Sequence, residues 1–329
     1  MLKKLIFFAT VLAFGVVVLG AFVRLSDAGL GCPDWPGCYG KLSPAHAHAE
    51  ISQAQAERPH GPVSAAKAWK EMVHRYFAST LGLLIVMIGV TAWIKREKLK
   101  QGMGLPLFLI GFVILQGLFG MWTVTLKLTP IIVTLHLLGG MTTLSLLTWL
   151  LQRQRRDIAA VRTLDAERMR SFAAIALIVV ILQIALGGWV SSNYAALACA
   201  DFPTCKGAWV PEMDLHHGFQ LVRDLGMTAQ GALLPLDALT AIHWVHRVGA
   251  LLVLLVVGLL ALKLLRIPAL ARAGAFITLI LATQLSLGIA NVLLSLPLPV
   301  AVAHNAVAAL LLLSLVMLNF RLRSALKRG

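Results

Sequence analysis

Eight stretches of apolar residues, near 5–23, 73–94, 104–124, 131–151, 172–190, 241–262, 273–294 and 300–320, dominate this chain. Each is about 20 residues long, enough to cross the hydrocarbon core of a bilayer as an α-helix. Backbone groups in hydrocarbon must be satisfied within the segment itself, so the runs predict an all-α integral membrane protein. Composition agrees: the 329 residues are 59% hydrophobic and 13% charged, with a mean hydropathy of +0.83. The first run follows Met1-Leu2-Lys3-Lys4. It exceeds the ~7–15-residue core of a signal peptide and carries no small-x-small cleavage site, so a retained helix is expected.

Charge sets the orientation. Of 29 Lys and Arg, 19 fall in the N-terminal tail, the 95–100, 152–170 and 263–272 loops and the C-terminal tail, all on one side if eight helices alternate. The other side holds ten, together with ten of the fourteen Asp and Glu. The positive-inside rule predicts that both termini are cytoplasmic. The net charge of +15 is then a topological signal, and a nucleic-acid partner has no support.

All four cysteines fall in the outer loops, as Cys32 and Cys38 in "GCPDWPGC" and Cys199 and Cys205 in "ACADFPTC". Outside the cytoplasm thiols oxidise, which points to two local disulfides. Metal binding is the rival reading, although CxxC spacing is absent.

The halves of the chain repeat one another. "LGAFVRLSDAGLGCPDWPGC" (19–38) aligns without gaps to "LGGWVSSNYAALACADFPTC" (186–205), "VHRYFASTLG" resembles "VHRVGALLVL", and 115–140 aligns to 283–308. Cys32 and Cys199 are 167 positions apart, His74 and His246 172, and both Gln116/Gln284 and His136/His304 168. Each repeat has four helices, an even number, so both cross the membrane the same way up. The expected architecture is two pseudo-symmetric four-helix bundles from a tandem duplication, arranged as parallel repeats. Residues 1–151 would form the first bundle, 152–170 a cytoplasmic linker and 171–329 the second bundle.

Each repeat places one histidine near the outer end of its second span, in its first turn or so (His74, His246), and one in its fourth (His136, His304). Rising at about 1.5 Å per residue, the two reach similar depth. Paired imidazoles on two helices suit axial ligation of a planar metal macrocycle. Interhelical hydrogen bonding is the bland alternative, and copper or a proton relay could also use such pairs. Gly82, Gly139, Gly140 and Gly249 would help to make room for a flat ligand. Arg75 and Arg247 follow the first histidine of each repeat and suit carboxylates such as haem propionates, or simply reach for the interface. Gln116 and Gln284 lie deeper, as cavity contacts or helix–helix bonds. One difference separates the halves: three residues before that histidine stands Glu71 in the first and His243 in the second. A carboxylate at this depth is costly and by default functional, which makes the first half the candidate site of chemistry.

"GAFVRLSDAGLGCPDWPGC", "EMVHR", "TLHLLGG", the second "VHR" and "AHN" resemble, over nearly the whole chain, the haem A synthase family in its bacterial form with cysteine pairs in the outer loops. The resemblance implies an oxidoreductase of the plasma membrane that converts haem O to haem A. A pyrrole methyl group becomes a formyl group by successive hydroxylations and loss of water. It further implies His74 and His136 as ligands of the substrate haem, Glu71 as the catalytic residue, and His246 and His304 as iron ligands of a resident haem B. Cys32–Cys38 and Cys199–Cys205 would be disulfides, the haem sites would lie toward the outer side, and the product would serve cytochrome oxidase biogenesis. A protohaem farnesyltransferase (haem O synthase) would supply the substrate, a haem–copper oxidase would receive the product, and an electron donor that the sequence does not identify would complete the system. Two other classes remain open on the residues alone, a b-type dihaem electron carrier and a transporter. The stretch 214–226 is expected to form a short interfacial helix, and the loop histidines at 46–60, 216 and 217 are expected at the surface.

Overall fold

A computed structural model describes residues 1–99, 102–154 and 164–324. Eleven helices account for nearly all its regular structure: α1 (Leu2–Leu25), α2 (His48–Glu57), α3 (Ala65–Ile94), α4 (Arg96–Leu99), α5 (Gly104–Thr125), α6 (Pro130–Arg153), α7 (Leu164–Ser192), α8 (Leu215–Gly218), α9 (Leu236–Leu265), α10 (Ala271–Leu293) and α11 (Leu298–Ser324). Eight of them are long and apolar enough to cross a membrane, and the chain is an all-α, multi-pass membrane protein. Their exposed Leu, Ile, Val and Phe side chains are what a helix facing lipid requires. Within the expected 152–170 linker, residues 155–163 lie outside the described residues.

Helix ends depart from the apolar runs where capping, not hydropathy, decides them. α3 starts at Ala65 instead of 73, because Ser64 accepts a hydrogen bond from Lys67 N (3.3 Å), as an N-cap does. His74 therefore lies about 14 Å along its helix at 1.5 Å per residue, not in the first turn. α9 also starts before its apolar run, at Leu236, behind Pro235 and without a side-chain cap. In the 214–226 stretch only Leu215–Gly218 is helical, with Asp214 capping His217 N at 3.0 Å.

The chain divides into two compact units, Met1–Leu146 with Leu221–Leu233, and Leu147–Gln220 with Leu234–Gly329. In the first, α3 packs against α1 and α5. The α6 helix joins them through Gly140, whose missing Cβ would stand 3.6 Å from Val17 of α1, and through a bond from Gln116 of α5 to the His136 carbonyl. At the N-terminal end of α3, Ala68 and Met72 pack with Cys32, Cys38, Ala47 and Ile51, and with Tyr39 and Val63. In the second unit α7 packs on α9, α9 on α10, α10 on α11, and α11 back on α7.

Local backbone geometry repeats between the units. Among the described residues, the non-glycine residues with positive φ form four pairs: Asp27 and Tyr194 (52° and 55°), Tyr39 and Lys206 (both 52°), Lys127 and Ser295 (49° and 57°), and Leu128 and Leu296 (60° and 62°). The last two pairs close α5 and α10 in the same way. Leu128 N donates to Thr123 O at 2.8 Å, and Leu296 N to Asn291 O at 2.7 Å. Side chains rarely tolerate such angles, so a shared ancestral turn explains the pairing better than independent adoption.

The cysteine loop of the first unit approaches α3 closely. A Cβ at Gly31 would fall 2.5 Å from the Lys67 carbonyl carbon and 2.7 Å from Ala68 N. These are main-chain atoms that cannot move aside. Gly31→Ala is expected to cost about 1–3 kcal/mol, the range for overpacking, read as a lower melting temperature in detergent; an unchanged melting temperature would refute the close approach.

Candidate functional site

Both cysteine pairs form disulfides, Cys32–Cys38 and Cys199–Cys205. Each closes a loop of one design. Asp34 accepts from Tyr39 N (2.6 Å) and Gly40 N (2.7 Å), while Asp201 accepts from Lys206 N (2.7 Å), Gly207 N (2.9 Å) and the Thr204 hydroxyl (2.6 Å). These bonds, that from Thr204 first, hold the Asp201 carboxyl well below the usual carboxylate range. The charge is therefore fixed where the loop turns back through a left-handed residue and a glycine. Sequence reasoning fixed on the cysteines and passed over these aspartates, although C-x-D stands in both loops.

The arginines lock the loops to the helices. Arg75 Nη1 donates to the carbonyls of Asp34 (2.8 Å), Pro36 (3.2 Å) and Gly37, and its Nη2 donates to Glu71 Oε1 (2.5 Å). In the second unit Arg247 donates to the carbonyls of Asp201 (2.8 Å), Thr204 (2.7 Å) and Cys199 (2.7 Å). A guanidinium offers five donors in a fixed fork, and here that fork organises three carbonyls converging from one loop. The residues expected to face propionates thus face loop backbone.

Glu71 and His243 are both 4% exposed and occupy the same place. Glu71 Oε2 accepts from Cys32 N at 2.9 Å, and His243 Nδ1 lies 3.3 Å from Cys199 N. Arg247 Nε stands 3.2 Å from His243 Nε2. The first unit therefore has a buried carboxylate–guanidinium pair where the second has an imidazole, one helical turn before His74 and His246 respectively.

The four repeated histidines come together in pairs within each unit: His74 with His136, and His246 with His304, lie within electrostatic reach of one another. Every ring is faced by a glycine whose absent Cβ would stand about a van der Waals contact or less from Cε1: Gly20 at 3.1 Å from His74, Gly120 at 3.3 Å from His136, Gly187 at 3.2 Å from His246 and Gly288 at 3.2 Å from His304. Two of the glycines expected to make room for a ligand make room for a glutamine. Gly139 clears Gln116, whose Oε1 would be 2.0 Å from a Cβ, and Gly249 clears Gln183 in the same way at 2.1 Å. Nothing lies within 4 Å of a Cβ at Gly82.

Gln116 and Gln284 bond to the histidines themselves. Gln116 Nε2 lies 3.2 Å from His136 Nδ1 and 2.7 Å from its carbonyl oxygen, and Gln284 Nε2 lies 3.2 Å from His304 Nε2. A third glutamine, Gln183 of α7, does the same for His246, at 3.1 Å from Nδ1 and 2.9 Å from the carbonyl oxygen. It escaped the sequence reading because the first repeat has valine there. His74 Nδ1 and His304 Nδ1 are buried without a hydrogen-bond partner.

Because Arg247 holds three loop carbonyls, Arg247→Met should free the backbone of the 199–205 loop, so that trypsin can bind the already exposed Lys206 in an extended conformation. Cleavage there is expected to speed up about tenfold, in line with the loss of charge-assisted bonds; cleavage at the wild-type rate would mean that the disulfide alone holds the loop.

The COX15-CtaA family, described as cytochrome oxidase assembly protein, matches residues 3–316. A protein of Shewanella oneidensis named heme A synthase is 44% identical over 306 residues, covering 93% of this chain and 92% of its own. Proteins of the same name from Rhizorhabdus wittichii and Halalkalibacterium halodurans are 29% and 26% identical, covering 93% and 95% of this chain and 89% and 95% of theirs. With the family matched from end to end and a relative this similar over nearly its full length, the chain belongs to the COX15-CtaA cytochrome oxidase assembly family.

Proposed function

We propose that this protein is an oxidoreductase that converts haem O to haem A, oxidising one pyrrole methyl group to a formyl group for delivery to a haem–copper oxidase. The observation that carries the reading is a pair of buried imidazoles within electrostatic reach of one another in each unit, with a buried carboxylate beside only one pair among the described residues. The relatives named heme A synthase support it. Two imidazoles from neighbouring helices are the ligand set that would hold a haem iron in each unit. The buried His304 Nδ1, which has no hydrogen-bond partner, and the glycines that admit all four rings are features that such a flat ligand fits.

His246 and His304 would hold a resident haem B, which when bound supplies one-electron transfer. His74 and His136 would hold the substrate haem. Residues 1–151 would then be the substrate half, 152–170 a cytoplasmic linker and 171–329 the cofactor half, in a bacterial inner membrane with cytoplasmic termini and haem sites toward the outer side. A farnesyltransferase that makes haem O would act upstream, and an electron donor would act alongside. Arg75 and Arg247 keep the disulfide loops fastened beside the first histidine of each pair and, at that rim, would also face the haem carboxylates.

Glu71 would act through its charge. Arg75 balances that charge and the Cys32 N–H fixes its direction, so the carboxylate is held one turn from His74 without the reorganisation a free side chain would need. A second reading comes from His243, which makes the same contact with Cys199 N: Glu71 would then be a loop anchor only. Gln and Ala separate the two, since glutamine keeps an oxygen for the Cys32 N–H and loses the charge.

Haems extracted from protein purified out of cells that make haem O, and separated by chromatography, should comprise haem B with haem O or haem A. Glu71→Gln should keep haem B and lose haem A formation by a factor of about 100 or more, as expected for an acid–base or electrostatic group. Haem A formation at the wild-type level would leave Glu71 as the anchor, and equal loss of both haems would refute the division between the units.

A further inference from the structure

Three of the four histidines share a device that the fourth lacks. In α5, α7 and α10 the sequence reads Gln-x-x-x-Gly: Gln116 to Gly120, Gln183 to Gly187 and Gln284 to Gly288. In each case the glycine faces an imidazole on a neighbouring helix, and the glutamine one turn earlier puts its amide nitrogen 3.1–3.2 Å from a nitrogen of the same ring. Glycine lets the ring approach the helix, and the amide then fixes the ring's rotation. Where a second glycine follows the histidine by three residues (Gly139, Gly249), the amide also reaches the histidine's own carbonyl, at 2.7 and 2.9 Å. At His304, Val307 stands in that place, and Gln284 meets the ring alone.

In α1 the corresponding stretch is Val16-x-x-x-Gly20. Gly20 still faces His74, but no amide accompanies it, and His74 Nδ1 is buried without a partner. The departure is double. Opposite Gln183 stands Gly249, whose absent Cβ leaves the space for the amide oxygen; its counterpart three residues after His74 is Phe77. The amide is absent from one helix, and on the other a residue with a Cβ stands where glycine admits the amide in the second unit, so both sides of this one interaction differ together.

We propose that Gln183 is the positioning residue that makes haem binding in the second unit permanent, and that the Val16–Phe77 pair leaves His74 as the unclamped ligand through which the substrate haem is exchanged. The inference rests on the haem ligation proposed above. A histidine that binds metal through one ring nitrogen is oriented by the hydrogen bond at the other. In the ligating tautomer of His246 the Nδ1 proton needs an acceptor; the amide group of Gln183 now presents Nε2 to that nitrogen, and turning it would offer Oε1, otherwise buried without a partner. In the second unit both imidazoles are held by amides, in the first only His136. A catalyst that must release its product and keep its cofactor needs that imbalance.

The test measures haem transfer from detergent-purified, haem-loaded protein to excess apomyoglobin, together with the midpoint potential and low-spin spectrum of the haem that remains. Gln183→Val should release the second-unit haem roughly 10- to 100-fold faster, the usual effect of losing a bond that orients a metal ligand, and should shift its midpoint potential. Gln183→Glu, which restores an acceptor, should return the release rate toward wild type. The reverse graft, Val16→Gln with Phe77→Gly, should slow release from the first unit while leaving the second-unit haem in place, which also reports that the protein is folded. Wild-type release from Gln183→Val, or unaltered first-unit release from the graft, overturns the inference. His246→Ala separates its failure from that of the ligation itself: if that variant keeps its full haem complement, His246 is not a ligand and the underlying reading falls first.

Discussion

A polar ring nitrogen inside a membrane helix must find a partner within the protein, because hydrocarbon offers none. That requirement organises the interior of both units. The imidazoles of His136, His246 and His304 each meet a glutamine amide from a neighbouring helix, and each meeting needs a glycine on the glutamine's helix to admit the ring. The helix pairs α5–α6, α7–α9 and α10–α11 are therefore registered against one another by polar contacts at fixed depth. Leucine packing alone would leave that register loose, since one apolar residue replaces another in lipid at little cost.

The outer ends are held by a separate device. Each disulfide loop turns around an aspartate that gathers backbone N–H groups and is tied down by an arginine that gathers backbone carbonyls. Loop backbone at the membrane edge has many groups to satisfy, and two ionised side chains of opposite sign satisfy both kinds. The arginine follows the first histidine of its pair by one residue. Loop and imidazole are consequently fixed by the same helical turn, and the disulfide adds a covalent restraint on a conformation the hydrogen bonds already define.

The eight spans and the internal repeat were legible in the sequence because hydropathy and residue identity carry them directly. Helix starts were less so: the apolar run of α3 begins nine residues after its Ser64 cap, and only the capping bond places Ala65 in the helix. The histidines stood out as repeated polar residues in apolar runs, but the contacts of their neighbours were not legible from residue type. Gly139 and Gly249 each leave space for a glutamine amide. Arg75 and Arg247 hold main-chain carbonyls of the cysteine loops, and Arg75 also pairs with Glu71. Gln183 was invisible to a comparison of halves because its counterpart is Val16, yet the recurrence of Gln-x-x-x-Gly in three helices was there to be read. A search for repeats finds what duplication preserved, and the positions that diverged need the contacts to be seen.

Around the two histidines of each pair the units diverge differently. α5 with α6 and α10 with α11 keep the glutamine–histidine contact in both units, and there Gly139 against Val307 removes only the amide's bond to the histidine carbonyl. At the first histidine the differences reach the ring's own surroundings: Val16 against Gln183, Glu71 against His243 and Phe77 against Gly249. An amide partner is present in one unit and absent in the other, and a carboxylate replaces an imidazole beside an arginine that both units possess. On the ligation proposed above, the first histidine of each pair is the position at which the two units would hold a ligand differently.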